Sequence, residues 1–386
     1  MLKFHLLSSK IIVLVMVALL LGACNTSSPA PLPSPAPTVM LTPTPEAVAQ
    51  TPTENTPSVS VTNTPASAPP IDLSNFQRLA PLYPWTIAGD IVKITGAALS
   101  PLADKVALLT VRYPEEYSLE LMDSKTGDLI WKQSLDAKAD YPAVAFSPDE
   151  SLVAVGTGSS NITIWNVSDG SPLEVLRGAS YAVRAVVFSP DGKLIAAAGS
   201  DSSVHVWQVS SGLIQFTYLL RDNVGSLAFS PDGNYLAISS NIFAVYDLAA
   251  GNGTPILYYD AIAPHPTAEI LFSPDSQFLM AEGELNNRDA NTWIPRILIW
   301  KLSSNRSAFR KIPIPDVIQN MIVLQDGRSV LGYDASKGQL DAIDTSSKSV
   351  AGTVDLGPLL FMDYSADYSR FLVVTKTSAA LWGVSP

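Results

Sequence analysis

Short hydrophobic segments alternate with turns rich in Ser, Pro, Asp and Gly along most of the chain. In one representative stretch, VRAVVF precedes the turn Ser189–Gly192, and KLIAAAGS and SVHVWQV follow it. Each segment is rich in Val, Ile and Ala and is bounded by Gly, Ser or Asp, which is typical of β-strands. The turn sequence suits a type I turn, since Pro presets φ at the second position of such a turn and Gly is favoured at the fourth. The pattern predicts a unit of four strands, the fourth being a segment such as LIQFTYLL.

The same unit recurs at nearly constant intervals. The turn aspartates follow one another after 42, 41, 43, 51 and 41 residues, at Asp149, Asp191, Asp232, Asp275, Asp326 and Asp367. The third strand ends on an aromatic residue in five copies, at Trp165, Trp207, Tyr246, Trp300 and Trp382. Weaker copies end at Met122 and Ile343, which makes seven units. About 42 residues with four strands is the period of a propeller blade, so we predict an all-β fold, a seven-bladed β-propeller.

The two ends of the repeat region are expected to meet in one blade. The last copy supplies three strands, and the sequence then reaches Pro386 without a fourth. The segment Phe76–Leu82, FQRLAPL, would supply the missing outer strand. Such closure hides two sheet edges that would otherwise favour aggregation. The propeller is therefore expected to span residues 71–386.

The N-terminal segment has the pattern of an export signal. Lys3 and Lys10 give it positive charge, and the apolar run Ile11–Leu21 is too short to span a bilayer as a mature helix. The sequence LGAC that follows resembles the bacterial lipobox, in which the cysteine carries acyl chains such as palmitate and becomes the new N-terminus. The resemblance implies a signal peptide over residues 1–23 and lipidation of Cys24. An ordinary cleaved signal with an incidental cysteine is the alternative.

The composition changes sharply after Cys24. Residues 25–70 hold 12 Pro and 15 Ser or Thr, with no aromatic residue, Lys or Arg. Such a segment cannot bury enough apolar surface to offset the entropy of ordering it. We therefore expect residues 24–70 to form a lipidated, disordered tether, either a plain spacer or an O-glycosylated stalk.

The repeated turn and the aromatic end of the third strand together resemble the WD-repeat family of β-propellers. Residues 188–191, 229–232 and 272–275 all read Phe-Ser-Pro-Asp. The family's Asp after Trp is replaced by Asn166, Gln208, Lys301 and Gly383, and its Gly-His pair is absent. The Asp, His, Ser/Thr and Trp network of many members is therefore not expected, and apolar packing should hold the blades. The resemblance implies a protein-binding or scaffold role.

Charge and chemistry narrow the possible partners. The net charge is −11, and removal of Lys3 and Lys10 leaves 22 basic against 35 acidic residues, which disfavours nucleic acid. Cys24 is the only cysteine, so no internal disulfide is expected.

No metal or cofactor motif is present, and the histidines beyond the signal, His205 and His265, are assigned to a strand face and a loop. We expect no enzymatic activity.

A partner-binding site is expected on the face where the longer loops cluster. The longest departure from the repeat is Gly283–Pro295, which replaces five residues of the third blade. Large aromatic and Arg side chains dominate binding hot spots, although an insertion in a loop is also cheaply tolerated. The candidate residues are Arg288, Asp289, Trp293, Arg112, Tyr113, Tyr181 and Arg221.

These observations predict a monomeric, membrane-anchored, extracytoplasmic propeller that binds a protein or another cell-envelope component. The anchor could lie in the outer leaflet of a cell membrane or in an outer membrane. Two other functions stay open. One is a hydrolase or lyase acting on envelope polysaccharide, and the other is a sensor of a small extracellular ligand.

Overall fold

The computed structural model describes residues 68–135, 143–178, 182–240, 242–251, 253–260, 269–287, 292–302, 309–314 and 318–385. Within these ranges, the strands form seven four-stranded antiparallel sheets. None of the helical turns there is long and apolar enough to cross a membrane. The predicted signal peptide, Cys24 and the tether up to residue 67 lie outside the described residues.

The sheets are seven propeller blades, as the repeat predicts. The first strand, β1 (Leu79–Thr86), belongs to the last blade, and the other six blades each use four consecutive strands. Blades 1 to 3 contain β2 (Ile91–Leu99), β3 (Lys105–Arg112), β4 (Glu116–Asp123), β5 (Leu129–Ser134), β6 (Val144–Phe146), β7 (Leu152–Gly156), β8 (Ile162–Asn166), β9 (Pro172–Leu176), β10 (Val183–Phe188), β11 (Leu194–Gly199), β12 (Ser203–Gln208) and β13 (Ile214–Leu219). Blades 4 to 6 contain β14 (Ser226–Phe229), β15 (Tyr235–Ser239), β16 (Ile242–Asp247), β17 (Pro255–Asp260), β18 (Ile270–Phe272), β19 (Phe278–Asn287), β20 (Thr292–Lys301), β21 (Phe309–Pro313), β22 (Ile318–Val323), β23 (Ser329–Asp334), β24 (Gln339–Asp344) and β25 (Ser349–Asp355).

The seventh blade is built from both ends of the domain. It contains β26 (Phe361–Tyr364), β27 (Arg370–Val374) and β28 (Ser378–Val384), with β1 as its outer strand. β1 runs antiparallel to β28, from the pair Leu79↔Val384 to the pair Thr86↔Ser378. Closure by an N-terminal strand is therefore confirmed.

The closing strand begins later than the sequence suggested. The predicted strand covered Phe76–Leu82, whereas Phe76–Arg78 form a 3-10 turn. The carboxylate of Asp72 causes this difference, because it accepts the backbone N–H groups of Ser74 (2.7 Å) and Asn75 (3.0 Å) and so holds the chain in a turn. Phe76 is buried beneath the turn.

The Ser-Pro-Asp-Gly turns join the first and second strands of the blades. In the third blade the N–H of Gly192 donates to the carbonyl of Ser189 at 2.9 Å, which is the bond of a type I turn. The hydroxyl of Ser189 donates to Asp191 (2.7 Å) and accepts the N–H of Leu194 (2.9 Å). The Ser189 hydroxyl is also the main reason why the pKa of Asp191 falls to about 2. This turn is thus fixed by its own side chains.

Apolar packing fills the space between neighbouring sheets. Between the first two blades, Leu109, Leu119 and Leu121 pack with Val153 and Val155, and all five side chains are fully buried. At roughly 25 cal/mol per Å² of buried apolar surface, such layers are the main source of stability between blades.

Two tryptophans lie on outer strands, and each connects its own blade to the blade that follows. Trp85 of β1 donates its indole N–H to the carbonyl of Ser124 at 3.1 Å, and Trp131 of β5 donates to that of Val167 at 2.8 Å. Each ring covers a glycine of the following blade. A Cβ on Gly127 would lie 2.6 Å from Cγ of Trp85, so only glycine permits this contact.

Candidate functional site

The antiparallel order of the strands gives the propeller two different faces. The Ser-Pro-Asp-Gly turns lie on one face, which we call the turn face. The loops between second and third strands lie on the opposite face, together with the connections between blades, and we call this the loop face. Loops on a rigid scaffold are common sites of recognition.

The insertion in the fifth blade is mostly strand rather than loop. β19 and β20 pair over ten residues each, from Phe278↔Lys301 to Asn287↔Thr292. The predicted loop Gly283–Pro295 therefore continues the β-ladder, because added residues on both sides of a hairpin can pair with each other. Trp293 lies opposite Asn286 in this ladder. Arg288 and Asp289 lie outside the described residues.

Arg112 and Tyr113 lie at the loop face of the first blade. The Arg112 guanidinium donates to Asp90 at 2.7 Å and forms an ion pair with Glu120, whose side chain is 3% exposed. Arg112 therefore neutralises a buried charge, and its loss would destabilise the blade. Tyr113 is 87% exposed, so its ring is available for contact.

Arg221 lies in the connection between β13 and β14 and is exposed at the same face. Tyr181 lies outside the described residues. The structure thus places Tyr113 and Arg221 on the loop face as exposed side chains, while Arg112, next to Tyr113, serves the fold.

A short polar chain runs through the third blade. Ser203 donates its hydroxyl to Asp201 at 2.6 Å, and its oxygen lies 3.2 Å from Nε2 of His205. Nδ1 of His205 is 3.0 Å from the hydroxyl of Thr217. Burial lowers the pKa of His205, with Asp201 opposing the effect. Because Ser203 donates its proton to Asp201 and is buried, this chain joins β12 to β13 and to the loop that precedes β12, and it does not form an exposed nucleophile.

A central channel runs along the axis of the ring. Its cavity volume is about 560 Å³, and the first strands of all seven blades line it. Most lining side chains are apolar, and four of them are phenylalanines: Phe146, Phe188, Phe229 and Phe361.

Two carboxylates interrupt this apolar wall, and each connects two blades. Glu269 precedes β18 and accepts the backbone N–H of Met321 in the next blade. Asp363 of β26 accepts the N–H of Leu99 in the first blade at 2.8 Å. A third such link joins the hydroxyl of Ser226 to the N–H of Ile270 at 3.3 Å. The side chains therefore bind the inner strands to one another.

The surroundings of both carboxylates favour the neutral acid. Burial raises the pKa of Glu269 to about 7, with a further contribution from the charge of Asp363 and opposition from the Met321 N–H. Burial raises the pKa of Asp363 to about 6, against the N–H groups of Leu99 and Tyr364. Burial also raises the pKa of the Tyr364 hydroxyl.

A third polar residue enters the channel through an irregular backbone. Asn320 lines the cavity at φ +50°, where the pairing of β22 with β23 shifts register between Gln319 and Ile322. This bulge also directs the N–H of Met321 towards Glu269. Bulges and left-handed non-glycine residues occur preferentially beside functional sites.

Sequence reasoning missed these channel residues, although the repeat contains a signal for them. Ser226, Glu269 and Asn320 each stand six residues before the turn aspartate, where earlier blades carry Ala143 and Ala185. Equivalent positions in successive blades lie at the same height in the ring. The three residues therefore form a polar arc on one side of the ring, and Glu269 and Asn320 of this arc line the channel.

Comparison with known proteins identifies the repeat. The family model described as "WD domain, G-beta repeat" matches residues 135–166, 170–208 and 215–241. The second match begins on the outer strand of blade 2 and ends on the third strand of blade 3, so sequence repeats and blades are offset by one strand. This offset is the same arrangement that places β1 in the last blade.

Two further similarities concern part of the chain or the fold alone. Pre-mRNA-processing factor 19 homolog 2 of Arabidopsis thaliana is 30% identical over 175 residues, which cover 43% of this chain and 33% of that protein. The chain thus spans about a third of that relative's length. Hydrazine synthase of Kuenenia stuttgartiensis superposes with a TM-score of 0.61 at 12% identity, over 74% of this chain and 94% of the other. At that identity the likeness shows the fold only.

The raised pKa of Glu269 predicts a specific pH dependence of stability. The carboxyl group titrates near 4.5 when unfolded and near 7 when folded, so its protonated form favours the folded state. We expect the free energy of unfolding of the wild type, relative to Glu269→Gln, to fall as the pH rises between these values and to level off above them. Urea denaturation at several pH values measures this difference.

Glu174→Gln provides the control, because Glu174 is exposed on the outer strand β9. Its unfolding free energy should follow that of the wild type at every pH. A difference between the wild type and Glu269→Gln that stays constant or rises with pH would contradict the burial of Glu269.

Proposed function

We propose that this chain, a seven-bladed propeller built of WD40 repeats, is a protein-binding scaffold module held outside the cytoplasm by a lipid anchor. The observation that carries the proposal is the loop face, where exposed side chains stand on rigid β-hairpins. Propellers built of this repeat generally bind other proteins, which supports a protein partner here. The partner would be a protein or another component of the cell envelope.

The chemistry of the loop face supports binding of a protein. Tyr113 offers an exposed aromatic ring with few rotatable bonds in the first blade, and Arg221 offers an exposed guanidinium on the same face, in the connection between the third and fourth blades. Tyr and Arg are enriched among residues that dominate protein interfaces. Arg112 fixes the base of the Tyr113 loop through its ion pairs with Asp90 and Glu120. A side chain on a fixed base loses less entropy on binding.

The N-terminal sequence supports anchoring. A lipidated Cys24 would place acyl chains in the bilayer, at roughly 0.8 kcal/mol per buried methylene. The Pro-, Ser- and Thr-rich residues 25–70 would then act as a spacer of up to roughly 140 Å in polyproline geometry. The propeller would thereby reach partners beyond the immediate membrane surface.

We expect the variant Tyr113→Ala/Arg221→Ala to lose its partners while retaining the fold, since both side chains are exposed. Partners are captured from solubilised membranes with tagged full-length chain and quantified by mass spectrometry. Proteins enriched by the wild type should fall by about tenfold or more, as expected for two hot-spot residues. Arg288→Ala/Trp293→Ala tests the fifth-blade hairpin in the same experiment.

Leu102→Ala is the matched control, because Leu102 is 77% exposed on the turn face of the same blade. It should capture the same proteins as the wild type. The loop-face proposal fails if the Tyr113/Arg221 variant captures them equally, or if the wild type enriches no protein over a tag-only sample.

The anchoring proposal has its own test, which is independent of any partner. We expect Cys24→Ser to abolish incorporation of radiolabelled palmitate and to release the chain from membranes, because Cys24 is the only cysteine in the sequence. Labelling and membrane fractionation of cells expressing each chain measure both effects. Undiminished labelling of the Cys24→Ser chain would rule out lipidation at this residue.

A further inference from the structure

We propose that the central channel binds a small organic cation, an ammonium group with an apolar substituent, between the polar arc and the phenylalanine wall. This site is separate from the loop face, and its argument does not depend on the proposed scaffold role. Four features of the channel lead to it: volume, apolar lining, the sign of its charged groups and the irregular backbone at Asn320.

The volume and lining suit a small molecule. Ligand sites commonly have volumes of about 300–1,000 Å³ and mostly apolar walls with a few placed polar groups. The channel, at about 560 Å³, fits this description. Phenylalanines from four different blades contribute to its wall, so an apolar substituent would contact aromatic and other apolar side chains. Aromatic rings also attract a cation that lies over their faces.

The polar groups of the channel favour a ligand with a positive charge. Glu269 and Asp363 line the cavity, and no Lys, Arg or His is among its described lining residues. An ionised carboxylate is purely a hydrogen-bond acceptor with about four acceptor positions, whereas Glu269 receives one backbone N–H and Asp363 receives two. A donor with positive charge is therefore the complementary partner. An anion would be repelled, and a neutral ligand would leave the two negative charges without a counter-charge.

The remaining alternatives among cations fit less well. Calcium takes six to eight oxygen ligands, and magnesium requires near-octahedral oxygen geometry. The described residues contain no group of three or more His, Cys, Asp or Glu side chains arranged to hold a metal ion. An ammonium group needs only about three acceptors, and the polar arc with Asp363 offers carboxylate and amide oxygens beside an apolar surface.

The backbone at Asn320 places a side-chain amide in the wall of the channel. Its φ of +50° lies in the left-handed region, which Asn enters more readily than most other non-glycine residues. The bulge simultaneously presents the Met321 N–H to Glu269 and so fixes the position of that carboxylate. Both effects prepare the polar arc for a ligand.

The test uses 3-phenylpropylammonium as the probe and 3-phenylpropan-1-ol as its neutral counterpart. Both are titrated calorimetrically into the full chain at pH 8, where Glu269 and Asp363 are mainly ionised, with detergent alone as the reference. We expect the ammonium to bind about tenfold or more tightly than the alcohol, since one hydrogen bond to a charged group contributes at least that factor. The difference should shrink at pH 5, where the carboxyls are largely protonated.

Two variants connect binding to the channel without disrupting the blades. Glu269→Gln keeps an oxygen for the Met321 N–H and removes only the charge, so ammonium affinity should fall by about tenfold. Asn320→Gly removes the amide and tolerates the positive φ, and it should also weaken binding. Glu174→Gln on the outer strand should have no effect.

Each remaining outcome would overturn the proposal. These outcomes are equal affinity for ammonium and alcohol, ammonium affinity unchanged in both channel variants, and no saturable binding to a wild-type chain that unfolds with its normal urea midpoint. A fall in affinity that Glu174→Gln shares would indicate general attraction to an acidic protein and would also count against the channel.

Discussion

The pairing of β1 with β28 is the contact on which the rest of the structure depends. It brings the two ends of the domain into one blade and leaves no sheet of the ring unfinished. The central channel exists only because the ring closes, since every blade contributes its first strand to the wall. The loop face likewise has a fixed geometry only if neighbouring blades cannot slide apart. Recognition at either place therefore follows from closure.

Two side-chain contacts join this closing blade to the first blade and connect closure to the channel. On the outside, Trp85 of β1 covers Gly127 of the first blade and donates its indole N–H to Ser124. On the inside, Asp363 of the seventh blade accepts the N–H of Leu99 in the first. The outer contact is mainly apolar, whereas the inner one retains a carboxylate in a poorly solvated channel at the cost of a raised pKa. Carboxyl groups with a raised pKa in a cavity are common at binding sites.

The repeat made the fold predictable, but it did not reveal the channel. Turn residues such as Ser189 and Asp191 act through bonds within five residues of chain, so their pattern is readable locally. Glu269 and Met321, by contrast, meet only when two blades stand side by side, and Trp85 meets Gly127 only after the ring has closed. The fifth-blade insertion was wrongly interpreted as a loop because many of its residues are polar, and a polar pattern does not show that the two sides of the insertion pair through their backbones. Residues close together in the sequence identify the blades, whereas the contacts between blades become apparent only from the three-dimensional structure.

The most direct test of closure compares the stability of two glycine variants. Gly127 and Gly233 share φ +74°, but a Cβ on Gly233 meets nothing within 4 Å, whereas one on Gly127 lies 2.6 Å from Trp85. Gly233→Ala should lose about 1 kcal/mol of unfolding free energy from backbone strain alone. Gly127→Ala should lose about 3 kcal/mol, because it also forces β1 away from the first blade. Equal losses in urea denaturation would mean that Trp85 does not seal the ring, and the account of closure would be wrong.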